Sequence, residues 1–492
     1  MWQQLIKNNM TKNKEKFYIT TSIAYTNSAP HIGFAFELIQ ADVIARYQRI
    51  LGKDVWFLTG TDEHGTKIAR KAKEEGKSTQ DFCDEISAKF RALKEPLNLS
   101  FDDFIRTTDQ KRHWPTVQAI WQKLKENGDI EKRIYQGLYC VGCEAFVTEK
   151  DLVEGKCPNH QKAPEVIEEE NYFFKLSRYQ SQLKEILEKD EIKIFPEGRK
   201  NEMLSFMKEG LEDVSCSRDK KVLAWGVPVP GDESQTVYVW FEAVINYVSA
   251  LGYLTENDEK LKKYWPCDIH FIGKDITRFH TLLWPAMLLG LGVELPKNVF
   301  VHGYITVSGQ KMSKSLGNVV DPFELVKKYG TDAVRYFLLR EISSTEDGDF
   351  TYEKFEERYN ADLANGIGNL LARVVTLASK IINYQLSIIN QFSNSDFKTE
   401  LEKTKKKYNA CLENFSFNEA LGAIWELISF CDKYVNDNKP WEGGEGASQV
   451  ISDLLLALQE IAELLKPFMP QTAEKILQQI ATGKSEPLFP RI

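Results

Sequence analysis

Short apolar runs alternate with helical patterns through the first two thirds of the chain. Residues 17–20 and 55–59 form such runs, and each is followed by a loop and then by apolar positions at helical spacing. The alternation returns at residues 237–241, 268–272 and 298–307. Strands that alternate with helices predict a parallel β-sheet covered by helices on both faces.

The pattern changes at two places. Residues 131–221 interrupt the alternation with clustered cysteines and an acidic run, and we interpret them as an insertion that splits one nucleotide-binding fold into two halves. From about Asp321 onward, helical periodicity dominates. Within residues 360–382, one apolar stripe predicts a single helix; its members are Leu363, Ile367, Leu370, Val374, Leu377 and Ile381.

These changes divide the chain into five predicted segments. They are residues 1–130 (first half of the split fold), 131–221 (insertion), 222–320 (second half), 321–359 (a linking segment) and 360–492 (a helical domain). A chain of 492 residues is too long for one hydrophobic core, so three or more domains are expected.

The composition is that of an ordinary soluble globular protein, with 42% hydrophobic and 27% charged residues. The net charge of −8 argues against a wholly basic nucleic-acid binder, although a local basic groove is compatible with it. No apolar stretch is long enough to span a bilayer, and no secretory signal is visible. We expect a cytoplasmic location, with translation starting at Met1 or Met10.

Cysteine spacing predicts a metal site. Eight cysteines in so long a chain do not form a disulfide scaffold. Cys140, Cys143, Cys157 and His160 form two pairs of the x₂ type, and four such ligands close a tetrahedron around one structural zinc. Four protein ligands leave no open position, so a catalytic zinc is not expected. Unrelated thiols that merely fall close together are the alternative.

The nucleotide-binding signal is not a Walker loop or a dinucleotide fingerprint. His31 and Gly33 follow a strand and open a helix, where unpaired N–H groups and the helix dipole favour phosphate. Gly33 would allow an adenine ring to approach the backbone. The alternative is an ordinary helix start with a capping histidine. Lys311, Ser313 and Lys314 suit a mobile loop over a triphosphate, and a plain surface loop is the alternative.

Together, Pro30-His31-Ile32-Gly33-Phe34 and Lys311-Met312-Ser313-Lys314-Ser315 resemble the paired signatures of class I aminoacyl-tRNA synthetases. The second pentapeptide matches completely, and the first departs at Phe34. Flanking segments narrow the resemblance to the methionyl-tRNA synthetase family; they are residues 19–27, 58–65, 238–243, 271–275, 301–304 and 347–350. The resemblance runs from about Phe17 to the C-terminus.

The resemblance implies an α/β fold: a Rossmann-like catalytic domain split by the zinc-binding insertion, followed by an α-helical anticodon-binding bundle. It also implies a methionine–tRNA ligase. Such an enzyme forms methionyl adenylate and pyrophosphate from methionine and ATP with Mg²⁺, then transfers methionine to the 3′ end of tRNA with a CAU anticodon. Because the sequence ends at Ile492 without the oligomerisation domain of some family members, we expect a monomer.

The implied site residues fall into groups. His31, Lys311 and Lys314 would be catalytic, and they would bind ATP together with Gly33, Gly273, Asp275, His302, Gly303 and Ser313. The methionine pocket would comprise Ile23, Tyr25, Asp62, Trp240, Ala243, Tyr247, Phe279, His280 and Trp284, with Arg218 as the ionic partner of Asp62. Aromatic edges are favourable neighbours for a thioether. Asn369, Arg373 and Trp441 would read the anticodon, because planar groups suit unpaired bases.

Two other interpretations remain open at this stage. A sister class I enzyme for cysteine, leucine, isoleucine or valine would share the signatures, although the insertion is short for an editing domain. A paralogue that binds tRNA or ATP without activating an amino acid is the second, and Phe34 is the only feature that favours it.

Overall fold

A computed structural model of the protein describes residues 14–143, 145–147, 149–159, 161–312, 317–381, 392–444 and 446–492. His160, Ser313 and Lys314 lie outside these ranges. The chain forms two compact units. The first comprises the described residues of Met1–Pro30, Gly52–Ala92 and Phe101–Val301, and the second those of His31–Leu51, Leu93–Ser100 and His302–Ile492. Among the described helices, none combines the length and the apolar character needed to cross a membrane.

The strands are β1 (Lys16–Tyr25), β2 (Asp54–Asp62), β3 (Asp103–Arg106), β4 (Ile130–Cys140), β5 (Ala145–Val147), β6 (Glu165–Phe174), β7 (Lys193–Phe195), β8 (Val214–Ser215), β9 (Ser217–Asp219), β10 (Pro228–Val229), β11 (Asp232–Val237), β12 (Ile269–Gly273), β13 (Asn298–His302), β14 (Ile305–Val307), β15 (Gln310–Lys311) and β16 (Gly348–Phe350).

The α-helices are α1 (Ile32–Ile50), α2 (Thr66–Glu74), α3 (Thr79–Ala92), α4 (Trp114–Glu126), α5 (Gln180–Glu188), α6 (Glu197–Met207), α7 (Val239–Ala243), α8 (Asn246–Ser249), α9 (Glu259–Tyr264), α10 (Trp284–Leu291), α11 (Pro322–Tyr329), α12 (Thr331–Arg340), α13 (Tyr352–Arg358), α14 (Asn369–Ile381), α15 (Ser395–Glu413), α16 (Phe417–Asn438), α17 (Ala447–Leu465) and α18 (Pro470–Thr482). Two wider helical turns, Phe279–Leu283 and Tyr359–Gly368, precede α10 and α14.

A six-stranded sheet in the order β3-β2-β1-β12-β13-β7 organises the first unit. The pairs β1–β2, β2–β3, β1–β12 and β13–β7 are parallel. This confirms the predicted parallel sheet, and the order around β1 is that of a doubly wound fold. The edge strand β7 comes from within the interval predicted to be an insertion, so that interval also completes the main sheet.

The sheet strands read as continuous apolar runs because both faces are covered. Their fully buried side chains include Tyr18, Ile19, Phe57, Leu58, Phe271, Ile272, Val299 and Phe300. The insertion has a sheet of its own, in which β4 and β6 form a long antiparallel pair within the order β5-β4-β6-β8.

Two predicted strands were partly wrong. The strand expected at residues 237–241 ends at Val237, and Val239–Ala243 is helical. A short apolar run cannot distinguish a buried strand from a buried helical turn by periodicity. The strand expected at residues 298–307 divides into β13 and β14, which belong to different sheets. The break falls at Gly303, where an added Cβ would lie 2.3 Å from the backbone carbon of Glu346.

Helix α1 belongs to the second unit and is held there by a buried ion pair. Arg335 and Asp42 are both fully buried, and their closest atoms are 2.8 Å apart. Arg46 donates to the same carboxylate over 2.7 Å, and Ser100 donates to it through both its backbone N–H and its hydroxyl. Burial opposes ionisation of Asp42, but the two arginines outweigh it and hold its pKa below the usual value. This network positions the helix that His31 begins.

Helices α14 to α18 make up the C-terminal part of the second unit. The predicted apolar stripe is largely buried, but the helix that carries it is not continuous. Gly366 has φ −81° and ψ −106°, which are not helical angles, so the chain kinks between Leu363 and Leu370. The expectation that a single helix carries the whole stripe was therefore wrong.

Candidate functional site

The carboxyl ends of neighbouring parallel strands place predicted site residues at one edge of the first unit's sheet. Strand β1 ends at Tyr25 and β2 at Asp62, and these two residues are partners in the β1–β2 register. Ile23 pairs with Gly60 just after a register shift, which re-aims the strand. Ligands of doubly wound folds bind outside this edge.

The third strand of this edge, β12, ends at Gly273. A short 3₁₀ turn, Lys274–Ile276, follows it and carries Asp275. Gly273 and Asp275, predicted to meet the ATP ribose, therefore leave the sheet at the same edge as Tyr25 and Asp62.

Predicted pocket aromatics form two groups. The rings of Trp240 and Phe279 are stacked, with centroids 4.7 Å apart and planes 10° apart, and both side chains are half-buried. The ring of Tyr247 lies 5.6 Å from His280 and 6.2 Å from Trp284. Ala243 is buried on the same helix α7 as Trp240. The structure thus brings six of the nine predicted methionine residues into two clusters on α7, α8 and α10 and the wide turn before α10.

His280 carries a defined proton. Its Nδ1 lies 3.0 Å from the carbonyl oxygen of Ile276, which can only accept, so Nδ1 donates. Its Nε2 lies 2.6 Å from the hydroxyl of Tyr247 and accepts from it in the neutral ring. Burial lowers the pKa of His280 to about 4, which keeps the ring neutral near pH 7. The pocket wall therefore offers polar atoms without a charge.

Asp62 is buried and sits in a web of hydroxyl and backbone contacts. The hydroxyl of Thr107 lies 3.5 Å from its carboxylate, and the backbone N–H of Thr26 donates to its carbonyl over 3.0 Å. Arg218 is also buried and donates to Ser215 and to the backbone of Ser217, both over 2.7 Å. The ion pair between Asp62 and Arg218 stays a prediction.

Sequence reasoning missed a buried triad beside this carboxylate. Glu242 accepts from His64 over 2.7 Å and from His113 over 2.6 Å, and all three side chains are at most 1% exposed. Burial opposes ionisation of Glu242, but the charge of His64 and the hydrogen bond from His113 outweigh it and lower its pKa.

The triad links two parts of the predicted methionine pocket. His64 lies two residues after Asp62, and Glu242 lies between Trp240 and Ala243 on α7. His64 and Glu242 lie in segments that carried the family resemblance. The sequence could have identified them as partners, because a buried acid within an apolar motif needs a partner. His113 carried no signal in the sequence.

In the second unit, His31 caps α1. Its Nδ1 accepts the N–H of Gly33 over 3.1 Å, so Nε2 carries the proton of the neutral ring and can donate to a phosphate. The N–H of Ile32 donates to Val320, and the N–H of Phe34 to the carbonyl of His31. The expectation of unpaired N–H groups at this helix start was therefore wrong, because the chain's own acceptors engage them.

A side chain at position 33 would crowd the ring of His31. A Cβ at this position would lie 2.9 Å from Cε1 and 3.0 Å from Nδ1 of His31, closer than side chains normally approach. The Cβ position built on Gly33 is also 3.5 Å from the methyl carbon of Met312, so the start of α1 lies next to the segment that begins at Lys311. Ser313 and Lys314 lie outside the described residues. Phe34 is half-buried.

His302 and Lys311 also lie in the second unit. The ring of His302 bonds to the carbonyl of Gly303 over 2.8 Å and to Glu37 over 2.7 Å. The exposed Lys311 ammonium lies 4.8 Å from the ring centroid of Tyr304.

Three of the four predicted metal ligands come together. The Sγ atoms of Cys140, Cys143 and Cys157 all lie within 4.8 Å of one another. The N–H of Cys143 points to the sulfur of Cys140 over 3.4 Å, which orients the turn after β4. Zn–S bonds of about 2.3 Å in a tetrahedron require sulfurs roughly 3.8 Å apart, and the Cys143–Cys157 separation is 3.5 Å. The cluster fits a metal ion. His160 lies outside the described residues.

Two of the predicted anticodon residues are in contact. The guanidinium of Arg373 on α14 lies 4.6 Å from the ring centroid of Trp441, just after α16. Trp441 is 46% exposed, which is unusual for so large an apolar side chain. Asn369 is exposed at the first position of α14. Trp441, Arg373 and Asn369 thus contribute a flat indole, a guanidinium and an amide.

Family comparisons cover nearly the whole chain. The description "tRNA synthetases class I (M)" matches residues 17–163 and 159–375, and "Anticodon-binding domain of tRNA ligase" matches residues 394–489. The methionine–tRNA ligase of Thermotoga maritima is 46% identical over 95% of this chain and 75% of its own length. That of Bacillus subtilis is 42% identical over 98% of this chain and 79% of its own length.

Solved structures agree with the sequence relatives. A Mycobacterium tuberculosis methionyl-tRNA synthetase in complex with methionyl-adenylate superposes with a TM-score of 0.89 at 37% identity, covering 96% of this chain and 97% of that one. A free-state structure of the Mycobacterium tuberculosis enzyme superposes with a TM-score of 0.83 at 33% identity, covering 98% of this chain and 99% of that one.

Proposed function

The chain belongs to the class I methionyl-tRNA synthetases, and from that membership we propose which of its residues serve each step of the reaction. It is a methionine–tRNA ligase, which activates methionine with ATP and charges tRNA. The catalytic part is the split doubly wound fold, and the C-terminal part is a helical anticodon-binding domain. We retain the five predicted segments as proposed domain boundaries.

The observation that carries the proposal for methionine is the register of Tyr25 with Asp62, together with the contact of His64 with Glu242, which joins the end of β2 to the helix that carries Trp240. Asp62 holds the ammonium group of methionine, and Arg218 balances the carboxylate when no substrate is bound. The thioether side chain packs against Trp240, Phe279 and the other predicted aromatics. The Tyr247 hydroxyl and the neutral His280 hold each other, which fixes the polar end of the pocket.

For ATP, Gly273 and Asp275 meet the ribose and the segment of His302 and Gly303 lies beside the adenine. His31 donates from Nε2 to the phosphates, and Lys311 and Lys314 neutralise charge as pyrophosphate leaves. Because Gly33 has no side chain, it leaves room for ATP at the start of α1. Ser313 belongs to the loop that carries Lys311 and Lys314. Mg²⁺ accompanies ATP and offsets its negative charge. Positioning and charge stabilisation supply most of the catalysis, so the loss of a donor at Phe34 leaves an active enzyme.

We propose that the cysteine cluster holds one structural zinc, with His160 as the fourth ligand. The close sulfurs of Cys140, Cys143 and Cys157 support this set. Asn369, Arg373 and Trp441 read a CAU anticodon. A monomeric state and a cytoplasmic location remain predictions from the sequence.

The test of the methionine assignment is Asp62→Asn. The amide keeps the size of the side chain but removes its charge, so the methionine KM should rise at least about thirtyfold. The KM for ATP and the thermal unfolding midpoint serve as internal controls. An unchanged methionine KM would reject the role of Asp62.

A further inference from the structure

A separate cavity of about 220 Å³ lies in the first unit. It is lined by Thr108, Gln110, Trp114, Lys220, Trp225 and Gln235, among others. None of the residues proposed above for methionine, ATP, zinc or the anticodon lines it. It therefore needs its own explanation.

Two indole rings form rigid walls of this cavity. The Nε1–H of Trp114 donates to the carbonyl of Thr107 over 2.9 Å, and that of Trp225 to the carbonyl of Glu63 over 2.6 Å. The His64 ring packs against both indoles, with its centroid 5.9 Å from that of Trp114 and 5.7 Å from that of Trp225. Both indoles are anchored by their edges and remain half-buried, so each keeps flat surface for a ligand.

The polar side chains that line the cavity differ in whether they already form hydrogen bonds. Gln235 is buried and already bonds to Ser217 and to the backbone of Glu170. Lys220 and Gln110 are exposed, and over the described ranges neither side chain has a hydrogen bond or an ion pair. An available ammonium and amide beside two indoles match what unpaired nucleotides require: a charge for phosphate, an amide for a base edge and faces for stacking.

The size of the cavity limits the ligand. Clefts that enclose drug-sized molecules measure roughly 300–1,000 Å³, so a cavity of about 220 Å³ suits one base and not a nucleoside triphosphate. The position is also informative. Thr107 accepts the N–H of Glu63 over 2.9 Å, and its hydroxyl is 3.5 Å from the carboxylate of Asp62. The cavity walls are thus tied to the residues around the proposed ammonium site.

We propose that this cavity binds one unpaired base of the tRNA 3′ end, stacked on Trp114 or Trp225, with Lys220 at an adjoining phosphate. The proposal rests on the tRNA-charging function, because that reaction brings an unpaired RNA end to the activated methionine. The base is held beside the site and takes no part in the chemistry.

The experiment compares Lys220→Glu with Lys221→Glu. Lys221 is the exposed neighbour of Lys220 and does not line the cavity, so it controls for the general effect of charge. Lys220→Glu should lower kcat/KM for tRNA charging about tenfold relative to the methionine-dependent pyrophosphate exchange of the same preparation. Lys221→Glu should change this ratio much less. Equal effects of both variants would overturn the proposal.

A second experiment, which measures binding, identifies the part of the tRNA that Lys220 contacts. The dissociation constants of wild type and Lys220→Glu are measured with intact tRNA and with tRNA trimmed of its single-stranded 3′ end. The penalty of Lys220→Glu should appear with intact tRNA and disappear with trimmed tRNA. A penalty that persists after trimming would place Lys220 against another phosphate and overturn the proposal. Absence of exchange in the wild type is a different failure, because it would remove the function on which the proposal rests.

Discussion

At the scale of single residues, Glu242 is the most informative side chain that was not expected. It accepts hydrogen bonds from His64 and His113 and stands between Trp240 and Ala243, so it fixes α7 relative to the end of β2. Glu242→Gln keeps the volume but leaves one histidine without an acceptor. We expect the methionine KM to rise about tenfold and unfolding to become easier by about 1–3 kcal/mol.

The matched control is Asp332→Asn, because Asp332 is another buried carboxylate, which accepts the N–H of Thr472 in the second unit. It should reduce stability without moving the methionine KM. If both variants raise the methionine KM equally, the triad serves general stability and not the pocket.

His280 gives a prediction for pH. The unfolded ring takes a proton near pH 6.5, whereas burial lowers its folded pKa to about 4. Between these values the unfolded state holds the additional proton, so folded stability declines as pH falls from about 6.5 to about 4. The slope is about 1.4 kcal/mol per pH unit for one proton. His280→Asn keeps a donor for Ile276 but cannot titrate, so denaturant unfolding at several pH values should show a shallower dependence than wild type. Identical slopes would contradict the assignment.

At the scale of elements, the turn after β4 should depend on metal. Elemental analysis should find about one zinc per chain, and Cys140→Ala should lose most of it. Structural zinc contributes on the order of 10 kcal/mol to small metal-folded units, so hydrogen exchange in β4 and β6 should accelerate in the same variant. Cys411→Ala, a cysteine on α15, should keep the metal. Full zinc content in Cys140→Ala would remove this cysteine from the ligand set.

The surface of α14 and the residues after α16 should read tRNA without affecting activation. Trp441→Ala and Arg373→Ala should weaken tRNA charging by roughly 1–3 kcal/mol, the value of one lost base stack. Methionine-dependent exchange should stay near wild type. Lys380→Ala, an exposed change on the same helix α14, is the control and should leave charging intact. A parallel loss of exchange in the Trp441 and Arg373 variants would indicate a structural role.

The strands and helices also show which parts of the fold could be predicted from the sequence. The buried strands β1, β2 and β12 were predicted because their apolar runs alternate with helical patterns, as in a parallel sheet. The helical turn Val239–Ala243 was mistaken for a strand because its five residues are too few to show a period. The kink at Gly366 depends on backbone angles that an apolar stripe does not report. The occupied N–H groups of α1 depend on Val320, which is distant in the chain.

At the scale of the whole molecule, the chain combines a doubly wound catalytic fold with a helical anticodon-binding domain, and family matches extend over both. The pocket residues were predicted through the resemblance, and the three-cysteine turn was predicted from the spacing of its cysteines. His113 and the cavity of Trp114 and Trp225 were not, because their partners meet only in the folded chain. The methionine–tRNA ligase relatives at 42–46% identity and the match to the class I (M) family argue against a sister class I enzyme and against an inactive paralogue.

The central claim is that this enzyme activates methionine. ATP–pyrophosphate exchange tests it most directly, measured separately with methionine, cysteine, leucine, isoleucine and valine as the amino acid. The account predicts exchange with methionine far above that with the other four, because a neutral aromatic pocket with a fixed Tyr247–His280 pair suits an unbranched thioether. Exchange strongest with another amino acid, or none with any while tRNA still binds, would contradict it.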